Sequence, residues 1–233
     1  MEEELLQKIR QSYQARLERV ARLMAAGVEV MDPATVYIEG DVRVGPGTVI
    51  LPCTMLRGRV EIGRDCTIGP NAVIQDCIIG NGVTVNASQL TQSTVGAGAK
   101  IGPFAYIRPN SHIGRDVKVG DFVEIKNSTL GDGTKVSHLT YVGDSDVGEG
   151  VNFGCGTVTV NYDGVTKFRT TIRDHAFIGC NTNLVAPVTV GEGAYTAAGS
   201  TITDEVPPDS LAIARSPQIN KKNWALKKRK KSE

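Results

Sequence analysis

The sequence predicts an all-β fold, a parallel β-helix of six-residue repeats with one α-helix before it and an irregular basic tail after it. Apolar residues recur every six positions from Val44 to Ile202, with a few slips. The chain is also rich in glycine, with 26 in 233 residues, and only 5% aromatic. Short strands that turn around a three-sided prism would place one apolar side chain inward per side, with coils of about 18 residues stacked about 4.8 Å apart.

The first element is an amphipathic helix, and we assign the helix and its C-terminal turn to residues 1–28. Apolar residues follow three- and four-residue spacings, with charged and amide side chains on the other face. Gly27 is a suitable C-terminal cap, and Asp32-Pro33 opens a different pattern. The apolar positions are Leu5, Leu6, Ile9, Tyr13, Leu17, Val20 and Met24.

The repeats define a β-helix domain over residues 33–206. The pattern has one large interruption, where Ile172 follows Thr159 at a little over twice the usual spacing. The extra residues predict a projecting loop, and loops on rigid scaffolds often carry function. The repeated positions are 44, 50, 56, 62, 68, 74, 79, 85, 95, 101, 107, 113, 119, 125, 130, 136, 142, 147, 153, 159, 172, 178, 184, 190, 196 and 202.

Pro207 and Pro208 open a C-terminal tail, residues 207–233. A solvated terminal charge run is favoured over nucleic-acid binding for its basic residues, and no nucleic-acid partner is expected. These residues are Lys221, Lys222, Lys227, Lys228, Arg229, Lys230 and Lys231.

Composition limits the other function classes. The formal charge of +1 indicates no particular partner, and no apolar run reaches the roughly 18 residues of a membrane span. The start of the chain does not resemble a secretory signal, so a cytoplasmic location is expected. The five cysteines are odd in number and never spaced C-x-x-C, which predicts reduced thiols. The three histidines fall on different positions of the repeat, so no metal site is predicted.

Two cations mark the first candidate site. Arg108 and Lys126 hold the same position in repeats one coil apart, so they are expected on adjacent coils of one prism side. Their mutual repulsion would be reversed by an intervening anion, and a phosphate fits. The alternative is that both side chains extend into solvent.

A second candidate site surrounds His138. Counting by repeats, and excluding the insertion, places Cys155, Cys180 and Ala198 in one column with it. Their small side chains leave a groove for a long, narrow ligand. A single histidine is more often structural than catalytic, but the polar residues Tyr141 and Asn152 nearby favour a site.

Several long stretches carry a resemblance to a known family: GPFAYIRPNS, VGDFVEIKNS, SHLTYVGDSDVG, VNFGCGTVTVNYDGVTKF and LVAPVTVGEGA. From about residue 5 to the tail, the chain resembles the C-terminal half of the bifunctional bacterial N-acetylglucosamine-1-phosphate uridyltransferase/glucosamine-1-phosphate N-acetyltransferase. The resemblance implies a left-handed β-helix and acetyl transfer from acetyl-CoA to glucosamine 1-phosphate. That reaction supplies UDP-N-acetylglucosamine for the cell wall and peptidoglycan. The nucleotide-binding half has no counterpart in this chain, so uridyl transfer is not expected.

The same resemblance implies roles for individual residues. His138 would be the general base, a role for which imidazole groups are suited because their reference pKa lies near neutrality. The sugar phosphate would be bound by Arg108, Lys126 and Lys167, and the sugar by Tyr141 and Asn152. Acetyl-CoA is the implied co-substrate, with no metal required. Its implied contacts are Cys155, Asn161, Tyr162, Cys180, Ala198, Arg215 and Trp224.

Cys180 departs from the family pattern, because many members carry Ser there and a thiol is a weaker hydrogen-bond donor. A covalent acyl-enzyme through this thiol is less favoured than direct transfer. The family also implies a homotrimer with shared active sites. Two alternatives remain: a hexapeptide-repeat acyltransferase for another amino sugar, amine or hydroxyl acceptor, and a non-catalytic β-helix scaffold.

Overall fold

The computed structural model describes residues 1–229 and contains two helices and thirty strands. Lys230 and Lys231 of the predicted basic run lie outside the described residues. The helices are α1 Glu2–Ala25 and α2 Trp224–Arg229. The first ten strands are β1 Glu29–Val30, β2 Tyr37–Ile38, β3 Asp41–Val44, β4 Val49–Ile50, β5 Met55–Arg57, β6 Arg59–Ile62, β7 Thr67–Ile68, β8 Val73–Gln75, β9 Ile78–Ile79 and β10 Thr84–Val85.

The next ten strands include those that carry the candidate site. They are β11 Gln89–Thr91, β12 Ser93–Val95, β13 Lys100–Ile101, β14 Tyr106–Ile107, β15 Ser111–Ile113, β16 Lys118–Asp121, β17 Glu124–Lys126, β18 Thr129–Leu130, β19 Lys135–His138 and β20 Tyr141–Gly143. The last ten are β21 Ser145–Val147, β22 Asn152–Phe153, β23 Val158–Val160, β24 Thr170–Ile172, β25 Phe177–Ile178, β26 Asn183–Val185, β27 Val188–Val190, β28 Tyr195–Thr196, β29 Thr201–Ile202 and β30 Leu211–Ala212.

The strands form the three sides of a prism. Nearly every strand pairs in parallel with the strand three further along, which produces three sheets of 11, 10 and 9 strands. We call the sheet that contains β19 the first sheet, the one that contains β20 the second and the one that contains β21 the third. The parallel β-helix predicted from the repeats is confirmed. Its left-handed sense stays an expectation from the resemblance.

The repeated apolar positions point inward. Ile107, Ile125 and Val142 stack on consecutive coils of the second sheet, and all three are fully buried. Such stacks form a single apolar column along the prism axis. Leu90, which the repeat count missed between Val85 and Val95, is also fully buried and occupies the expected place.

Coil length varies along the prism. The step from His112 to its partner Thr129 is one position shorter than the step from Tyr106 to its partner Glu124. Across the insertion, Ser145 pairs with Thr170, a much longer step that confirms the projecting loop. Residues 161–169 form this loop between β23 and β24.

The N-terminal helix is confirmed, and its C-terminal end is a complete Schellman motif. The Val28 amide donates to the Leu23 carbonyl and the Gly27 amide to the Met24 carbonyl, both at 3.1 Å. This geometry needs a left-handed residue, and Gly27 has φ +89°. Only part of the predicted apolar face is covered, because Val20 is buried whereas Leu5, Leu6, Ile9, Tyr13 and Met24 are exposed.

The ends of the prism extend beyond residues 33–206. β1 already pairs with β4, and β30 pairs with β28, so parallel pairing runs from Glu29 to Ala212. The tail, predicted to be irregular, therefore contributes a strand and also contains α2. Neither helix within residues 1–229 has the length and apolar character needed to cross a bilayer.

Replacement of Ile125 by Ala should lower the free energy of unfolding by about 2–5 kcal/mol, because it leaves a cavity between stacked apolar side chains. Ile78 lies on a strand of the third sheet but is 54% exposed, so it is the matched control. Ile78→Ala should change the free energy of unfolding by less than about 0.5 kcal/mol. Urea titration followed by circular dichroism measures both. Equal losses would contradict the assignment of inward and outward positions.

Candidate active site

The two cations predicted to stack do lie on adjacent coils of the second sheet. Ile107 pairs with Ile125, and the Arg108 amide donates to the Ile125 carbonyl at 2.8 Å, which aligns Arg108 with Lys126. Both side chains project outward, since the residue before each of them is fully buried.

Each cation has a carboxylate partner that the sequence analysis did not identify. Arg108 Nη1 lies 2.7 Å from Glu124 Oε1, and Lys126 Nζ lies 3.4 Å from Asp144 Oδ2. The expectation of two uncompensated charges was therefore wrong. Glu124 shares a coil with Lys126, and Asp144 lies one coil further on, so the loss of Lys126 would also leave a buried carboxylate without its cation.

Lys167 reaches the same place from the projecting loop. An antiparallel bridge between Tyr162 and Lys167 closes the loop, and the Lys167 side chain meets that of Lys126. The contact with the Lys126 ammonium lowers the pKa of Lys167, and Arg108 adds a smaller effect in the same direction. Three cations, from two coils and the loop, thus converge on one outward face.

Asp144 connects this cluster to the loop. Its side chain is 6% exposed and accepts hydrogen bonds from the amides of Asn127 and Asn161 besides the contact with Lys126. Burial alone would raise the pKa of Asp144, but these three contacts outweigh it and hold the pKa below its ordinary value. For Lys126, burial lowers the pKa, but the contact with the Asp144 carboxylate outweighs it and holds the pKa above its ordinary value.

The Asp144 network also includes the aromatic residue predicted to bind the sugar. Asn161 Nδ2 lies 3.4 Å from the Tyr141 hydroxyl. Tyr141 stands on β20, one coil beyond Glu124. Predicted acceptor-binding residues and one predicted acetyl-CoA residue, Asn161, therefore belong to a single hydrogen-bonded group.

His138 lies at the corner between the first and second sheets, where its imidazole contacts an acid. His138 Nδ1 is 2.8 Å from Asp121 Oδ1, and the two side chains are 58% and 40% exposed. The hydrogen bond to His138 is the main cause that lowers the pKa of Asp121. The ring nitrogen Nε2 has no hydrogen-bond partner among residues 1–229.

The column of small residues beyond His138 is present. The Asn181 amide donates to the Cys155 carbonyl and the Gly199 amide to the Cys180 carbonyl, both at 2.8 Å, so the turns stack on consecutive coils. Cys155 is half-buried, and Cys180 and Ala198 are exposed. The Arg215 side chain passes close to Gly199, beside the end of this column.

Three predicted residues lie apart from these groups. Asn152 is on the first sheet, between Lys135 and Phe177, and so projects from a different prism side than Tyr141. Tyr162 is 54% exposed in the loop, where its hydroxyl donates to the Gly164 carbonyl. Trp224 is 56% exposed on α2 and lines a pocket with Ile219, Asn220 and Lys221.

Sequence reasoning missed Asp121, Glu124 and Asp144. The coil period of the sequence could have identified two of these acids, because Asp121 precedes His138 by one coil and Asp144 follows Lys126 by one coil. Glu124 stands beside Arg108 on the next coil. In the part of the chain that the structure describes, no group of three or more His, Cys, Asp or Glu side chains could hold a metal ion. That acetyl transfer needs no metal stays a prediction.

Comparison with known protein families agrees with this architecture. The six-repeat bacterial transferase hexapeptide model matches residues 41–76 and 169–204, and the GMPPB C-terminal domain model matches residues 90–165. The chain therefore contains hexapeptide repeats similar to those of bacterial transferases.

The particular relatives are proteins called bifunctional protein GlmU. Identity is 57% over 208 residues with the protein of Geobacillus sp. WCH70, which covers 89% of this chain and 45% of the relative. With the protein of Alkaliphilus metalliredigens, it is 50% over 225 residues, which covers 97% and 49%. The chain spans about half the length of the curated relatives it matches. It is homologous to that part of the GlmU proteins, and the resemblance predicted from its motifs is confirmed.

A solved structure with a similar fold is a more distant match. The Francisella novicida UDP-N-acetylglucosamine acyltransferase superposes with a TM-score of 0.46 at 13% identity, over 79% of this chain and 66% of the other. A likeness at this level does not bear on function.

Replacement of Asp144 by Asn should lower the free energy of unfolding at pH 7 by about 3 kcal/mol, because it leaves nearby cations without a buried counter-charge. The folded-state pKa of Asp144 is depressed, so its stabilisation is present above the unfolded value of about 3.9. It is lost as pH falls through the lower folded value. The difference from wild type should therefore be constant near neutrality and shrink in acid.

The matched control is Asp41→Asn, since Asp41 forms an ion pair with Arg43 in which both side chains are more than 60% exposed. Its loss should stay below about 1 kcal/mol. Urea unfolding between pH 3 and pH 8 measures both variants. A loss for Asp144→Asn no larger than that of the control would contradict the role of the buried acid.

Proposed function

We propose that this chain is a glucosamine-1-phosphate N-acetyltransferase that uses acetyl-CoA and produces N-acetylglucosamine 1-phosphate. The observation that carries the proposal is the convergence of Arg108, Lys126 and Lys167 on one face. The similarity to GlmU proteins supports the same acceptor. With this activity we also propose a cytoplasmic place in the supply of UDP-N-acetylglucosamine for cell-wall precursors.

The cation cluster suits a phosphate monoester. Glu124 and Asp144 hold Arg108 and Lys126 in position but neutralise only part of the positive charge. Lys167 adds a third cation at the end of a loop, where its ammonium is disfavoured by its neighbours until an anion binds. A dianionic phosphate removes that repulsion and accepts charge-assisted hydrogen bonds from all three side chains.

His138 is the proposed general base. With Nδ1 engaged by Asp121, the lone pair of Nε2 is available to the amine of the acceptor. As the amine nitrogen of the acceptor forms a bond to the acetyl carbonyl carbon, His138 Nε2 takes the proton from that amine. The carbon–sulfur bond then breaks, and the proton passes from the imidazolium to the departing thiolate.

Acetyl-CoA is proposed to lie along the column of Cys155, Cys180 and Ala198. Small side chains on stacked corners leave the backbone accessible to a long, narrow substrate. Arg215 beside Gly199 supplies a cation at the far end, which suits the phosphates of this substrate. Further contacts are proposed from Asn161, Tyr162 and Trp224.

A homotrimer with shared sites is part of the proposal. Tyr141 and Asn152 project from different sheets of one prism, so both reach one sugar most simply if a second prism supplies one of them. The exposed loop and tail are the segments that can extend to a neighbouring chain.

An assay of thiol release tests the activity against its alternatives. Wild-type protein should consume acetyl-CoA with glucosamine 1-phosphate but not with serine, and should use glucosamine without phosphate far less well. Each charge-assisted hydrogen bond lost with the phosphate is typically worth about 1.5–3 kcal/mol, or roughly 10- to 150-fold. Preference for an uncharged acceptor would favour another hexapeptide-repeat acyltransferase. Absence of both turnover and acetyl-CoA binding would favour a scaffold.

In the same assay, His138→Ala should lower kcat by about 10²- to 10⁴-fold, because the reaction loses its general base. Binding of acetyl-CoA, measured by calorimetry, and the unfolding midpoint should stay close to wild type. The matched control is His112→Ala, which removes an exposed histidine on the third sheet that contacts Thr94. Full activity in folded His138→Ala protein would exclude the proposed mechanism.

The affinity for N-acetylglucosamine 1-phosphate should fall as pH rises through the lowered pKa of Lys167. This product has no titrating amine, and its phosphate is fully ionised above pH 8, so Lys167 is the group that changes. The decline should begin at lower pH than for an ordinary lysine, whose pKa is about 10.4. Lys167→Arg should keep its charge and bind independently of pH up to pH 10.

Calorimetric dissociation constants between pH 8 and pH 10 measure this effect. Lys118→Arg is the control, since Lys118 is exposed on the first sheet, away from the cation cluster. Equal pH dependence in wild type and Lys167→Arg would contradict a phosphate contact by Lys167.

A further inference from the structure

We infer that Asp121 is a positioning residue for acetyl transfer, one that holds the His138 ring with Nε2 facing the acceptor and stabilises the imidazolium formed in the reaction. The inference rests on the proposed function, because it assigns a role within the same step. It concerns a residue that lies within the stretch VGDFVEIKNS but to which the sequence analysis assigned no role.

The backbone fixes the contact between the two side chains. Asp121 and His138 are paired residues on adjacent strands β16 and β19, and the Leu139 amide donates to the Asp121 carbonyl at 2.9 Å. A Cβ atom at Gly120 would clash with the Ser137 carbonyl oxygen, so glycine allows the close approach of these strands. The pair is therefore built into the stacking of the coils.

The chain turns sharply after each member of the pair. Phe122 and Leu139, the next residues, have φ values of 55° and 43°. Bulky side chains seldom adopt this left-handed conformation, and both are 59% exposed. The two turns end β16 and β19 at equivalent positions of adjacent coils, so Asp121 and His138 project together from the corner between the first and second sheets.

Asp121 is suited to orient the base rather than to act as the base. The hydrogen bond to His138 keeps the pKa of Asp121 below its usual range, so the carboxylate stays ionised and accepts the proton on Nδ1. A neutral imidazole that donates through Nδ1 carries its lone pair on Nε2. The negative charge also favours the imidazolium that appears when Nε2 takes the amine proton.

Other ionisable groups surround the pair but do not replace this contact. Lys118 on the same strand as Asp121 contributes a smaller effect on its pKa. Proline at position 103 is stacked on the coil before Asp121, so no carboxylate approaches from there. The ionisable groups on the neighbouring strands and turns are Lys100, Lys118, Lys135, Glu124, Tyr141 and Cys155.

Two variants of Asp121 separate its charge from its hydrogen bond. In Asp121→Asn the amide oxygen can still accept from Nδ1, but the negative charge is gone. In Asp121→Ala both are lost. Loss of the carboxylate that orients a metal-binding histidine typically costs about 10- to 100-fold in activity, and we take the same range for the histidine here. We expect kcat to fall by about 10-fold in the first variant and up to about 100-fold in the second, with both KM values unchanged.

The pH dependence of kcat/KM distinguishes a positioning role of Asp121 from a purely structural one, because loss of a structural contact alone would not shift it. The midpoint of the acid limb of kcat/KM should move to lower pH in Asp121→Asn, because the imidazolium loses the negative charge beside it. Glu149→Gln removes an exposed carboxylate from the turn between β21 and β22 and should leave the profile at the wild-type position.

Nitrogen NMR of histidine-labelled protein tests the same inference without turnover. The wild-type ring of His138, assigned from the spectrum of His138→Ala, should carry its neutral-state proton on Nδ1, and Asp121→Ala should shift it toward a mixture of tautomers. Unchanged tautomer and unchanged pH profile in folded Asp121 variants would overturn the inference. If wild type does not transfer acetyl groups at all, the proposed function fails, while the NMR result still decides whether Asp121 orients the ring.

Discussion

The stacking of coils about 4.8 Å apart is the constraint on which the rest of the structure depends. Inward residues such as Ile107 and Ile125 form a continuous apolar column because each coil repeats the position of the last. The same repetition acts on the outward side chains. Any two that occupy equivalent positions on neighbouring coils are brought within reach of each other, so chemistry that is distant in the chain becomes adjacent.

This constraint explains why the site is made of pairs. Arg108 meets Glu124, Lys126 meets Asp144, and His138 meets Asp121, each across one strand spacing. Like charges would repel at such distances, and alternating acids and bases turn the repulsion into attraction. Main-chain hydrogen bonds and apolar packing hold the coils together, and these polar pairs lie on the outer faces of the prism, where the buried Asp144 also contributes to stability.

The projecting loop adds what the repeat alone does not supply. A perfect repeat places side chains only along the coil, whereas residues 161–169 bring Lys167 and Asn161 back over the second sheet. The buried acid Asp144 ties both to the coil. The polar contacts are therefore concentrated where the repeat is interrupted, and departures from a regular pattern are typical of functional sites.

The sequence by itself determined the fold, because a six-residue apolar period has few physical solutions other than a three-sided prism. It also determined that Arg108 aligns with Lys126, that a loop interrupts the repeat between Thr159 and Ile172, and that small residues stand in column with His138. Only the tertiary structure decided which carboxylates contact Arg108, Lys126 and His138. These acids, Asp121, Glu124 and Asp144, differ from other acids of the chain only in the residues that face them across a coil. The coils differ slightly in length along the prism, and a shift by a single position changes every outward neighbour. For the same reason, only the tertiary structure showed that Asn152 lies on a different sheet from Tyr141.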